Sequence, residues 1–182
     1  MKKFYTIFLL AMTFLLLYSC SAEAMQSKLN VEGEHGFDFR ESRTAWKNLK
    51  KENGNSYAYT ILEQSFTGEG SETTIEVEEG KVRARFYIAF IISDEDGSQS
   101  IKDRYEETTK KDIESHSLGA PPLTIDNLYS TCLSKYLTVD HEANEVYFET
   151  NVEGVMMLCG FVPVGCQDDC YRGIRISEFH WM

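Results

Sequence analysis

Cys132, Cys159, Cys166 and Cys170 have the most constrained chemistry of any side chains in this sequence. Their spacing, C-x6-C-x3-C with Cys132 standing well upstream, lacks the paired spacing of a tetrahedral zinc site. In an oxidising compartment an even set of four thiols pairs instead, with three connectivities open to it. If 155–162 and 173–181 form a hairpin, Cys166 and Cys170 flank its loop and face each other. Cys132, on an inward helix face, then reaches Cys159, which shares a strand face with Val155, Met157 and Phe161. That pairing is the favoured one, and it makes the sulfurs structural fasteners.

Two acidic clusters offer oxygens to a hard cation. Asp168 and Asp169 sit inside the cysteine loop, and Asp94 and Asp96 frame Asp94-Glu95-Asp96-Gly97-Ser98. Either could hold Ca²⁺ weakly, although neither has the twelve-residue pattern of an EF-hand, and a solvated turn explains both. Of the four histidines, His35 and His116 fall in segments without a rigid scaffold, His141 precedes a strand in a surface turn, and His180 lies near the end of the last strand. The chain carries no H-E-x-x-H, no G-x-S-x-G, no P-loop and no G-x-G-x-x-G opening a helix. Arg83, Arg85 and Tyr87 alternate with the apolar positions of one long strand and form a candidate binding face of residue types enriched at interfaces. The competing explanation pairs both arginines with Glu76 and Glu78 across a hairpin.

The thiol argument needs an export route, and the N-terminus supplies one. Lys2 and Lys3 precede an apolar run from Phe4 to Tyr18, too short to span a bilayer comfortably, and small residues follow it. Ala22-Glu23-Ala24 fits signal cleavage, which predicts a signal peptide over 1–24 and a soluble, secreted chain from Met25. Leu17-Tyr18-Ser19-Cys20 resembles a bacterial lipobox and keeps open a lipoprotein acylated at Cys20, with Tyr18 bulkier than that motif usually carries. No other stretch is long and apolar enough to cross a membrane.

The 182 residues make one domain, and 42% hydrophobic with 26% charged residues is the balance of a packed globular chain. A net charge of -11 repels phosphate backbones and anionic lipid, which argues against nucleic-acid binding. After a flexible leader at 25–36, the spacing of Phe39, Trp46 and Leu49 predicts a helix capped by Asp38 and ended by Asn53-Gly54. Strands follow at 56–62, 73–78 and 81–92, the last two joined by a Glu79-Gly80 turn. The third places Val82, Ala84, Phe86, Ile88, Phe90 and Ile92 on the core side. Residues 93–122 read as an exposed, partly helical insertion. Beyond the prolines, Thr124 caps a helix with an Ile125, Leu128, Tyr129, Cys132, Leu133, Tyr136 stripe, and strands follow at 145–150, 155–162 and 173–181. Helix and three strands, twice over, predicts an α+β domain over 37–182: an antiparallel sheet of about six strands with two helices on one face. A cystatin-like or lactamase-inhibitor-like wrap would suit it.

The Trp46-Lys47-Asn48-Leu49-Lys50 helix segment, the Asn55 to Thr60 strand and the hairpin Thr73-Thr74-Ile75-Glu76-Val77-Glu78-Glu79-Gly80-Lys81-Val82 are together similar to a family of uncharacterised bacterial secreted proteins and lipoproteins. These share a helix with a Trp, a Tyr-rich strand and a V-x-x-G-x-V hairpin. The resemblance covers about residues 46–82 and implies the export and the fold. The chain departs from it in lacking a cysteine pair after the Tyr-rich strand and in adding a cysteine-rich C-terminal segment.

Three function classes follow. The leading one is an exported, non-enzymatic binding module for a protein or small ligand. The second is an acidic extracellular-matrix or surface protein in weak contact with calcium or mineral. The third is an enzyme whose site no motif reveals.

Overall fold

A computed structural model describes residues 31, 33 and 35–182. The signal segment, Cys20 and residues 25–30 lie outside the described residues.

Helix α1 runs Phe39–Asn53. Asp38 and Glu41 start it with a reciprocal capping box, the Asp38 carboxylate accepting the Glu41 N–H at 2.8 Å and the Glu41 carboxylate accepting the Asp38 N–H at 3.1 Å. Lys50 and Lys51 in its last turn suit the negative end of the helix dipole. Helix α2, Ile125–Thr131, opens on Thr124 and continues into a π-helical turn, Cys132–Tyr136. The strands are β1 Tyr57–Gln64, β2 Glu69–Glu78, β3 Lys81–Ile92, β4 Gln99–Glu107, β5 Asn144–Thr150, β6 Met156–Pro163 and β7 Arg172–Trp181. All described pairings are antiparallel, in the order β4-β3-β2-β1-β7-β6-β5.

The domain is thus α+β, with two helices on one face of a seven-stranded sheet. Trp46 of α1 packs edge-on against Tyr57 of β1 and stacks on Trp181 of β7. The Ile125 N–H of α2 donates to the Tyr57 hydroxyl at 3.0 Å. Phe39, Trp46, Tyr57, Tyr59, Ile75, Val77, Tyr129 and Val155 form one buried cluster between the layers. Val31, expected in a flexible leader, packs against that cluster, so the ordered domain begins before Phe37.

Two corrections to the sequence reading matter for the site. The seventh strand, β4, lies inside the segment expected as a partly helical insertion. As an edge strand it is exposed on most of its length, so Gln99-Ser100-Ile101-Lys102-Asp103-Arg104 shows no apolar alternation, and its charges blunt the open edge. The second correction is a phase change in β3. Val82 stands opposite Val77, yet Ala84 stands opposite Glu76, so Arg83 is the extra residue of a β-bulge. One inserted residue exchanges the two faces of everything after it. Arg85 and Tyr87, opposite Ile75 and Thr73, therefore face the helices, while Ala84, Phe86 and Ile88 face away.

Candidate functional site

The bulge dismantles the expected Arg83, Arg85, Tyr87 binding face. Arg83 stays outside and pairs with Glu76 at 2.9 Å and Glu78 at 3.4 Å, as cross-strand pairing anticipated. Arg85 is 3% and Tyr87 7% exposed. Arg85 meets Glu107, its neighbour on β4, at 2.9 Å, and it donates to the His116 carbonyl at 2.7 Å and the Ala120 carbonyl at 3.2 Å. The Glu107 carboxylate also accepts the N–H of Glu114 and of His116, each at 2.9 Å, and the Ser115 hydroxyl at 3.2 Å. Glu114 takes a positive φ of 70° to wrap the chain around it. Burial by itself would push this carboxyl up. The His116 and Glu114 amides, the Arg85 guanidinium and the His116 ring outweigh it and hold the group down at about 2.

This buried node pins residues 114–120 across β3 and β4, and it positions His116. The imidazole Nδ1 lies 3.1 Å from the Glu107 carboxylate, and the ring stacks on Tyr105 at 4.0 Å, which in turn stacks on Tyr87. His116 was expected to lack a scaffold. The scaffold is ionic and assembled from residues far apart in sequence, which no local pattern announces.

The cysteines pair as favoured. Cys132–Cys159 ties the π-helical turn to β6, both residues wholly buried, and Cys166–Cys170 closes the β6–β7 loop at the surface. Such bonds suggest an oxidising environment. Among the described residues no helix is long and apolar enough to cross a membrane. Asp94 and Asp96 occupy an exposed turn in which Asp96 accepts the Ser98 N–H at 3.0 Å. Asp168 is exposed in the cysteine loop. Among the described residues no three His, Cys, Asp or Glu side chains gather closely enough to share a metal ion.

Asp169 has a different task. With φ at 42°, it turns its carboxylate onto the β1–β2 turn, accepting the Ser65 hydroxyl at 2.7 Å and the Phe66 N–H at 3.1 Å. This latch spans a gap in the sheet. β1 and β7 pair from Tyr57↔Trp181 to Ile61↔Ile176, with a bulge just before the last rung, and then part. Beyond it, Arg172–Arg175 pairs with β6 and with no residue of β1. The result is a cleft of about 480 Å³ between Leu62, Glu63 and Gln64 on one side and Tyr171, Gly173 and Arg175 on the other.

The walls of the cleft are chemically distinct. In an antiparallel ladder the hydrogen-bonding residues alternate. The Ser65 N–H bonds the Glu69 carbonyl at 2.8 Å, which assigns Glu63 and Ile61 to β2 and aims the peptide groups of Leu62 and Gln64 at the cleft. Opposite, Gly160 and Gly173 face each other across β6 and β7, and a Cβ on either would stand 2.6 Å from the Tyr171 hydroxyl. Tyr171 lies in that vacancy, its hydroxyl donating to the Ile174 carbonyl at 2.8 Å and its ring under the Arg175 guanidinium at 5.0 Å. Burial pushes the phenol well above its ordinary range, against the pull of Arg175, so it stays neutral. No sequence motif marks these residues. The available signal was two glycines inside strand patterns, which mark places where something large approaches a backbone closely.

No family model matches the chain, nor does any curated protein or solved structure.

Proposed function

We propose that this protein is an exported, non-catalytic binding module, released or tethered at Cys20, whose ligand occupies the cleft between β1 and β7. The observation that carries the reading is the interrupted ladder: two adjacent strands stop pairing within the sheet and leave peptide groups directed into a half-enclosed space. Unpaired main-chain groups are costly wherever water is excluded, so a ligand that satisfies them gains affinity. The volume lies within the range of small-ligand pockets. Export would provide the oxidising compartment that both disulfides suit.

Screening a fragment library against the ¹⁵N-labelled chain tests this. Chemical-shift changes concentrated on the amides of Leu62, Gln64, Gly173 and Arg175 are the expected result. Hits that cluster elsewhere, or turnover of peptide, ester or glycoside substrates, would overturn it.

A further inference from the structure

Taking the cleft as the ligand site, we infer that its occupant is a short extended peptide carrying a carboxylate, with its main chain paired to Leu62 and Gln64 and its carboxylate on Arg175. Leu62 and Gln64 present N–H and C=O groups at alternate positions along a strand edge, and another extended main chain is the chemistry that complements such an edge. β7 does not fill this role here, because over Arg172–Arg175 it pairs with β6 and with no residue of β1.

The carboxylate follows from the charge arrangement. The protein is strongly acidic, yet Arg175 takes part in none of the described ion pairs. Its guanidinium is held over the Tyr171 ring at the lip of the cleft, oriented before any ligand arrives. Of the two acidic groups that share the lining, Asp169 is committed to Ser65 and Phe66, which leaves Glu63 to face a basic group or the amino end of the same peptide. Tyr171, seated on Gly160 and Gly173, gives the ligand a flat aromatic wall.

The test selects binders from a phage-displayed random heptapeptide library on the oxidised full chain. The best peptide is then synthesised unmodified, with N-methyl groups at alternate amides, and with its side-chain or C-terminal carboxylates amidated singly. Three results are expected. N-methylation in one of the two alternating registers abolishes binding and the other leaves it intact. Amidating one carboxylate weakens binding about tenfold, which distinguishes a side-chain from a C-terminal source. Arg175→Gln costs the same factor, with no further loss when combined with that amidation. Peptide binders indifferent to N-methylation or to Arg175→Gln would overturn the inference. So would a selection that yields no peptide while non-peptide fragments shift the cleft amides, an outcome that leaves the binding-module reading standing. If neither peptides nor fragments occupy the cleft, both fail.

Discussion

The two flanks of the sheet face the same mechanical problem and meet it with different chemistry. On the β4 side, residues 114–120 are fastened over β3 and β4 by the buried Arg85–Glu107 pair and the amides it gathers. On the β6 side, the π-helical turn is fastened by Cys132–Cys159. The covalent fastening has no proton to gain or lose over the acid range and yields to a reductant or an exchanging thiolate. The ionic one is held by partners that must all be present, because a desolvated charge is stable only while it is compensated. The contrast teaches that one flank responds to redox conditions and the other to acidity.

Removing one member of the ion pair should have the largest effect. Arg85→Ala strands the Glu107 carboxylate in the interior and is expected to lower unfolding free energy by about 4 kcal/mol in urea melts. Replacing both, as Arg85→Met with Glu107→Leu, should cost much less. A double variant as unstable as the single one would show that the segment depends on something other than this charge.

Acid should sharpen the same contrast. Glu107 is held at about 2 against an ordinary 4.5, so its contribution is complete above the ordinary value. As pH falls through that window toward 2 it is lost, at a cost of about 3 kcal/mol. Melts from pH 6 down to pH 2 should show this decline in the native chain and a shallower one in the Arg85→Met, Glu107→Leu chain. Equal slopes would remove Glu107 as the cause.

The disulfides divide in turn. Cys132→Ala with Cys159→Ala should cost about 3 kcal/mol, and Cys166→Ala with Cys170→Ala under about 2 kcal/mol, since the second bond closes a far shorter loop. Hydrogen exchange separates them further. Loss of the surface bond should speed exchange at the Phe66 amide, which depends on Asp169, and leave the β1 core untouched. Uniform acceleration would mean the loop is not an independent unit.

The covalent flank was legible in the sequence and the ionic flank was not. Cysteines interact pairwise and their options can be counted, so a hairpin expectation was enough to choose among three. Asp38, the Glu79-Gly80 turn with both φ values positive, and the C-terminal strands also follow from local rules of capping, turn chemistry and periodicity. The ionic flank turned on Arg83, whose bulge leaves the local pattern unchanged. After it, Ala84, Phe86 and Ile88 still alternate with Arg85, Tyr87 and Ala89, and a period-two pattern cannot tell which set meets the core when both are largely apolar. β4 failed for the converse reason, having too few apolar residues to signal a strand. The cleft was hidden because it is a failure of pairing between strands more than a hundred residues apart, and only Gly173 in its lining, with Gly160 opposite it on β6, hinted at it.

The seam between β1 and β7 has a consequence for assembly. The domain's first strand and its seventh are mid-sheet neighbours, joined up to the Met182 N–H on the Ser56 carbonyl. Synthesis runs from the N-terminus, so Tyr57 to Ile61 emerges early and waits, with a bare margin, for residues 176–181. A nascent chain cannot complete this sheet as it appears, and until its last strand is made it is exposed to mispairing along that one margin.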